Sequence, residues 1–181
     1  VDGIAHYRLD LGPDYGYRRQ PNDMFVEDYA RAAQRVVAEV RPSVIHASSG
    51  YRGFETALVA LALGRRFQLP VVYDVRSFLE ATWTPDVERS EEGEHYRLRL
   101  AREESCMHAA DLVFTIAETM RERIVARGID PAKVVVIPNA VDPEVFAPRP
   151  PDAELRRSLG LDGRFAEYVG MVVAPSDDVV I

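Results

Sequence analysis

The stretch DLVFTIAETMRERIVARGIDPAKVVVI, residues 111–137, sets two short apolar runs on either side of a polar segment. Both runs, 111–116 and 133–137, are rich in β-branched residues, which is typical of strands that are buried on both faces. The segment between them, 118–127, predicts a helix that ends at Gly128. A strand, a helix and a second strand in succession predict a right-handed crossover between parallel strands.

The same alternation continues toward the N terminus. A helix is predicted to begin at its N-cap, Asn22, because apolar residues recur from there every three or four positions. The other predicted elements are strands at 43–47 and 70–75, helices at 54–66 and 96–109, and a long loop at 76–93. Strands separated by helices predict an α/β fold, a Rossmann-like, mostly parallel sheet with helices on both faces.

Two domains are predicted, and both are expected to be incomplete. Residues 1–147 are interpreted as a partial N-terminal Rossmann-like domain, because the first four residues resemble the middle of a strand and its turn. The proline-rich run at 148–151 predicts a linker, followed by a helix at 153–159 and one strand at 165–173. Because one strand cannot make a sheet, residues 148–181 are interpreted as a linker and the truncated start of a second domain.

The composition argues against several classes of function. Asp and Glu number 29 against 22 for Lys and Arg, and the net charge of −7 excludes a general basic footprint for nucleic acid or anionic lipid. The single cysteine, Cys106, cannot form an intramolecular disulfide, which favours a reducing compartment. Neither a signal-peptide pattern nor an apolar run near the roughly 18 residues of a membrane span is visible. A cytoplasmic protein is therefore predicted.

Residues directly after the predicted strands are the first candidates for a site, because folds of this class bind ligands at the carboxyl ends of their strands. Asp74 and Arg76 alternate around Val75, so both side chains are expected on one side if the strand persists. They would then bind a hydroxylated or anionic group together, or form a plain ion pair. His46, near the end of its strand, either faces a ligand or fills a core position.

Other candidates carry less information. Gly50 and Gly53 precede a helix, where glycines either bind an anion or serve tight packing. Glu80 with Trp83 is a pairing that suits sugar rings, although loops carry such residues by chance. His95, His108, Cys106 and the glutamates at 88–94 lack the spacing or activating neighbours that metal binding or nucleophilic catalysis requires. No metal site is predicted.

Several segments resemble family 4 glycosyltransferases. The most specific feature is a strand ending in Ile-Pro-Asn, followed by a small residue, Val-Asp and then Phe. The resembling segments are AADLVFTIAE at 109–118, GIDPAKV at 128–134, VIPNAVDPEVF at 136–146, PSVIHA at 42–47 and PVVYDVR at 70–76. Together they cover most of residues 40–149.

The resemblance implies a GT-B architecture, in which two Rossmann-like domains face each other. The first domain binds the acceptor and the second binds a nucleotide-sugar donor, through residues that this chain does not contain. Transfer in the family retains the anomeric configuration and needs neither a bound metal nor another cofactor. The implied partners are a nucleotide sugar and a glycan, lipid or small-molecule acceptor. A lipid acceptor would place the protein at the inner face of the membrane.

The resemblance also implies site residues. Arg76 and His46 would be catalytic, and the substrate contacts would come from Ser49, Tyr51, Asp74, Glu80, Glu118 and Asn139. Asn139 is also expected, with Asp142, to shape the hinge and the cleft between the domains. Three positions depart from the usual pattern, since Ser48 and Arg76 each stand where many relatives have a histidine and Ala117 where they have a serine. Arg76 keeps a positive hydrogen-bond donor, but it cannot act as a base near neutral pH.

Three functions are compatible with these residues. The first is a retaining hexosyltransferase, of which this chain would be a fragment that is inactive alone. The second is a GT-B nucleotide-sugar epimerase, and the third is a non-catalytic sugar- or nucleotide-binding module, which Ser48 and Ala117 favour. A sheet without its outer strand would expose an edge, so the chain is expected to be less stable than an intact domain and to associate.

Overall fold

The computed structural model describes residues 3–9, 11, 21–49, 53–78, 80, 91, 93–147, 150, 152–158 and 160. Strands and helices alternate along them, as predicted. The strands are β1 (Ile45–Ser48), β2 (Val71–Val75), β3 (Leu112–Thr115) and β4 (Val134–Val136). The α-helices are α1 (Asn22–Val40), α2 (Glu55–Phe67), α3 (Glu94–Ala109), α4 (Glu118–Ala126) and α5 (Ala153–Ser158), and a 3-10 turn spans Pro131–Lys133.

The four strands form one sheet in the order β1-β2-β3-β4, and each neighbouring pair is parallel. In the described residues, the helices α2, α3 and α4 lie between successive strands in the chain. The prediction of an α/β fold with a Rossmann-like parallel sheet is confirmed.

One face of the sheet forms the hydrophobic core. The register places Ala47 beside Tyr73, Tyr73 beside Val113, and Val113 beside Val134, and all four residues are buried. Cys106 and Met107 of α3, Ile124 of α4 and Ile129 in the turn after α4 pack against this row. Burying an aliphatic side chain of this size contributes about 1.5–3 kcal/mol, so this face supplies much of the stability. Cys106 is a packing residue here, as the sequence predicted.

The core also holds a buried polar pair. The Tyr73 hydroxyl donates a hydrogen bond of 2.5 Å to Glu103 Oε2, which joins β2 to α3. Burial, followed by the repulsion of Glu80 and Glu55, raises the pKa of Glu103 to about 7, although the bond from Tyr73 and the charge of Arg127 oppose that shift. Burial is also the main cause that raises the pKa of Cys106 to about 12.

The opposite face of the sheet is polar at its carboxyl end. Side chains alternate along a strand, so His46 and Ser48 of β1, Asp74 of β2 and Phe114 of β3 project from this face. The register sets Ser48 beside Asp74, and Asp74 beside Phe114. On the same face Leu112 and Val135 are 37% and 40% exposed. The two faces therefore differ: one packs the core and the other presents functional groups to solvent.

The start of α1 differs from the prediction. Pro21, not Asn22, is the N-cap residue, and Asn22 is the first residue of the helix. The Asn22 side chain donates a hydrogen bond of 2.8 Å to Glu55 Oε1 at the start of α2. The N-cap assignment to Asn22 was wrong because this side chain serves a contact between two helices, which local sequence does not reveal.

The chain divides into two compact units, Val1–Asn139 and Ala140–Ile181. The first contains the sheet with α1 to α4, and α5 belongs to the second. The predicted domain boundary after residue 147 stays a prediction. Most of the predicted loop at 76–93 and all of the predicted strand at 165–173 lie outside the described residues.

Candidate functional site

Asp74 lies at the centre of a polar cluster at the carboxyl edge of the sheet. It is the second-last residue of β2, and its side chain is 13% exposed. Three groups approach the same oxygen of its carboxylate, Oδ2. The Ser48 hydroxyl donates to it at 3.4 Å, His46 Nε2 lies 3.8 Å away, and Arg76 Nη1 lies 3.9 Å away.

The distances around Asp74 describe loose electrostatic contacts. Both nitrogen distances exceed the usual length of a hydrogen bond, so neither His46 nor Arg76 forms a hydrogen bond with the Asp74 carboxylate. Their side chains are 52% and 51% exposed. Asp74 and Arg76 therefore form a distant ion pair, and their joint binding of a ligand stays a prediction.

Arg76 is anchored at two further points. Its backbone N–H donates to Ser49 Oγ at 3.1 Å, and its Nη2 donates to Asn139 Oδ1 at 2.6 Å. The backbone N–H of Ser49 in turn donates to the carbonyl oxygen of Asp74 at 2.8 Å. These bonds join residues that follow β1, β2 and β4. We call the set His46, Ser48, Ser49, Asp74, Arg76 and Asn139 the edge cluster.

His46 projects from the exposed face of the sheet and not into the core. Its ring meets the edge of the Phe114 ring, with centroids 5.8 Å apart and planes at 73°. Sequence reasoning missed Phe114, and it treated Ser48 only as a lost histidine. The signal that would have found both is the two-residue alternation of strands, which puts residues 46 and 48 on one face, combined with the sheet register.

Glu80 lies apart from these contacts. Its side chain is 1% exposed and accepts a bond of 2.6 Å from Arg127 Nη2. The Arg127 guanidinium also stacks 4.3 Å from the centre of the Phe78 ring. This partly buried ion pair joins Glu80, which follows β2, to the end of α4. The predicted contact of Glu80 to substrate hydroxyl groups stays a prediction.

Of the remaining predicted residues, Glu118 and Gly53 lie within the described part of the chain. Glu118 is the first residue of α4, directly after β3, and its exposed carboxylate pairs with Arg121 at 3.0 Å. Its predicted substrate contact stays a prediction. Tyr51, Gly50 and Trp83 lie outside the described residues. Gly53 has a φ of 108°, a conformation that favours glycine, so the backbone alone accounts for that residue.

A surface cavity of about 390 Å³ lies at the opposite edge, by the beginnings of β2 and β3. Its lining includes Arg65, Gln68 and Asp111. Asp111 Oδ2 accepts the backbone N–H of Val71 at 2.7 Å, which gives that carboxylate a structural task. Because ligands of parallel α/β sheets bind at the carboxyl ends of strands, the edge cluster is the better candidate site.

Within the ranges that the structure describes, no group of three or more His, Cys, Asp and Glu side chains is arranged to hold a metal ion. In the same ranges, no helix has the length and apolar character needed to cross a membrane.

Comparisons with known proteins agree with this fold. The model of the family described as "Glycosyl transferase 4-like domain" matches residues 1–140. A D-inositol 3-phosphate glycosyltransferase of Kineococcus radiotolerans is 42% identical over 77 residues, which cover 41% of this chain and 18% of that protein.

Two solved structures are also similar. A candidate UDP-N-acetylglucosamine 2-epimerase of Listeria monocytogenes has 17% identity and a TM-score of 0.55. The match covers 84% of this chain and 36% of the epimerase chain. A structure of S. aureus MnaA with UDP has 13% identity and a TM-score of 0.51, covering 83% and 38%. At these identities the likeness shows the fold alone. The chain spans less than two fifths of each of these relatives.

Proposed function

The chain belongs to the glycosyl transferase 4-like domain family, and from this premise we propose that it forms the acceptor side of a retaining glycosyltransferase. The longer polypeptide would transfer a sugar from a nucleotide-sugar donor to a glycan, lipid or small-molecule acceptor. Catalysis without a metal or cofactor, a cytoplasmic location and inactivity of the chain alone are parts of this proposal.

The observation that carries the proposal is the composition of the edge cluster. The Arg76 guanidinium and the His46 imidazole both lie within 4 Å of one oxygen of the Asp74 carboxylate. These groups lie at the strand edge where folds of this class bind ligands. A carboxylate accepts hydrogen bonds from hydroxyl groups, and a guanidinium donates them. An acceptor rich in hydroxyl groups, such as a sugar or another polyol, matches this set.

Each group has a role in the proposed transfer. Asp74 accepts a hydrogen bond from one acceptor hydroxyl, while Arg76 and His46 orient its neighbours. The oxygen of the reacting hydroxyl forms a bond to the anomeric carbon, and the bond from that carbon to the nucleotide diphosphate breaks. The hydroxyl proton leaves with the diphosphate. Holding the acceptor in one orientation lowers the barrier, because the entropy of positioning is lost on binding and not in the chemical step.

The test is an assay of the longer polypeptide against a panel of nucleotide sugars. D-inositol 3-phosphate, which the Kineococcus relative's name supplies, is the first acceptor to include. The variant Arg76→Ala should lower turnover about 100-fold, the usual loss when one positioned donor is removed. Arg31→Ala is the control, since Arg31 is also an exposed arginine with a carboxylate partner, on α1.

Other outcomes would favour the alternatives. Binding of nucleotide sugars without turnover across the panel would indicate a non-catalytic binding module. Conversion of a nucleotide sugar to its epimer without an acceptor would indicate an epimerase. Equal activity of Arg76→Ala and wild type would support the transferase function and would show that the edge cluster is not part of its acceptor site.

A further inference from the structure

The Arg76 side chain spans two strand positions at the carboxyl edge. β3 lies between β2 and β4, so the strands that lead to Arg76 and Asn139 are about 10 Å apart, twice the usual spacing. Arg76 Nη2 nevertheless donates to Asn139 Oδ1 at 2.6 Å. The guanidinium therefore lies across the end of β3, held by a residue that is 63 positions away in the chain.

This bond keeps Arg76 from its strongest neighbour. Arginine pairs with carboxylates through two parallel hydrogen bonds, which are stronger than bonds to a neutral amide. Asp74 is only two residues away and on the same side of the strand, yet Arg76 Nη1 stays 3.9 Å from Asp74 Oδ2. The backbone N–H of Arg76 is hydrogen-bonded to Ser49 Oγ, so the backbone position is fixed. The conformation of the side chain then decides whether the guanidinium bonds Asp74 or Asn139.

We propose that Asn139 is a positioning residue that holds the Arg76 guanidinium away from the Asp74 carboxylate, so that an acceptor meets both groups separately. The role in acceptor binding rests on the proposed function. Without Asn139, the Arg76 guanidinium forms a salt bridge with the Asp74 carboxylate. The hydrogen-bonding groups of both side chains are then no longer available to an acceptor. Asn139 contacts Arg76, and the substrate contact that the sequence predicted for it stays a prediction.

The position of Arg76 is tested first, by the Nε–Hε resonances of arginine side chains in the wild-type chain and its variants. Asn139 and Arg76 are both exposed, so substitutions there leave the core intact. Asn139→Ala should shift the Arg76 resonance, and adding Asp74→Asn should shift it again, to the position of a solvated arginine. Asn139→Asp retains an accepting oxygen at this position, so adding Asp74→Asn to it should leave the Arg76 resonance unchanged.

Arg31 provides a control in the same spectra, because its partners are Glu27 and Asp28 on α1, and its resonance should not move. An unchanged Arg76 resonance in Asn139→Ala would overturn the proposal. So would identical Arg76 resonances in Asn139→Ala and the double variant, because Asp74 would then not be the alternative partner. This measurement needs no turnover, so it decides the contact even if the transferase function fails.

The consequence for the acceptor is tested in the longer polypeptide. Asn139→Ala should raise the acceptor KM about 10-fold, the effect of losing roughly 1.4 kcal/mol of binding, and leave the donor KM unchanged. Asn139→Asp should restore the acceptor KM. If wild type transfers sugar and Asn139→Ala has an unchanged acceptor KM, the proposal is overturned while the transferase function stands.

Discussion

Replacing Glu103 by glutamine should stabilise the fold at pH 8 and leave its stability nearly unchanged at pH 4. Glu103 lies in the core, where its Oε2 accepts the Tyr73 hydroxyl and its Oε1 has no hydrogen-bond partner in the described part of the chain. Glutamine keeps the shape and an accepting oxygen for Tyr73, and it removes the charge that burial disfavours. The groups that face this carboxylate are Tyr73, Glu55, Glu80, Arg127 and Cys106.

The magnitude follows from the pKa. Burial raises the pKa of Glu103 from 4.5 to about 7, so between these values the folded chain holds a proton that the unfolded chain has released. Stability therefore falls as the pH rises through this window. A difference of about 2.5 pKa units at 1.36 kcal/mol each is about 3 kcal/mol. Below pH 4.5 both states are protonated, and the contribution vanishes.

The assay is urea unfolding of the chain and of Glu103→Gln at pH 4, 5, 6, 7 and 8. The difference between their free energies of unfolding should grow by about 3 kcal/mol over this range, with the variant more stable at the upper end. Glu104→Gln, one position along α3 and partly exposed, controls for the loss of a negative charge. A difference that does not change with pH would refute the reasoning, because Glu103 would then share one pKa in both states.

Two further substitutions test the packing of the sheet domain. Gly64→Ala should destabilise it by about 1–3 kcal/mol, as overpacking does, because a Cβ there would overlap Val71 Cγ2 and lie 2.9 Å from the Leu69 carbonyl oxygen. A variant that unfolds at the wild-type temperature would contradict this. Glu80→Gln should cost about 1–3 kcal/mol, since it leaves the partly buried Arg127 guanidinium without its ion pair. Thermal unfolding that matches wild type would contradict this.

The elements were predictable because they depend on local periodicity. β-branched runs near residues 45, 73, 113 and 135 indicate strands, and three- and four-residue spacing indicates the helices between them. The parallel arrangement follows, since a helix between two strands returns the chain to the same end of the sheet. The candidate site could be placed for the same reason, because residues after successive strands meet at one edge.

The contacts inside the site were less predictable. The sequence did not indicate that the Asn139 side chain bonds Arg76 or that the Glu80 side chain bonds Arg127. Each of these bonds joins residues far apart in the chain, and each arginine has more than one partner within reach. Which of these partners an arginine bonds depends on the final backbone geometry. A local sequence pattern does not specify that geometry.

The sequence by itself determined an α/β fold of alternating strands and helices, the family, and the strand edge at which His46, Asp74 and Arg76 lie. Only the tertiary structure decided which face of the sheet they occupy and which partner Arg76 takes. The physical reason is register: a slip of one residue moves a side chain to the other face. The register is fixed by packing across the whole sheet, where the row through Tyr73 and Val113 is buried and the row through Asp74 and Phe114 lies on the opposite face.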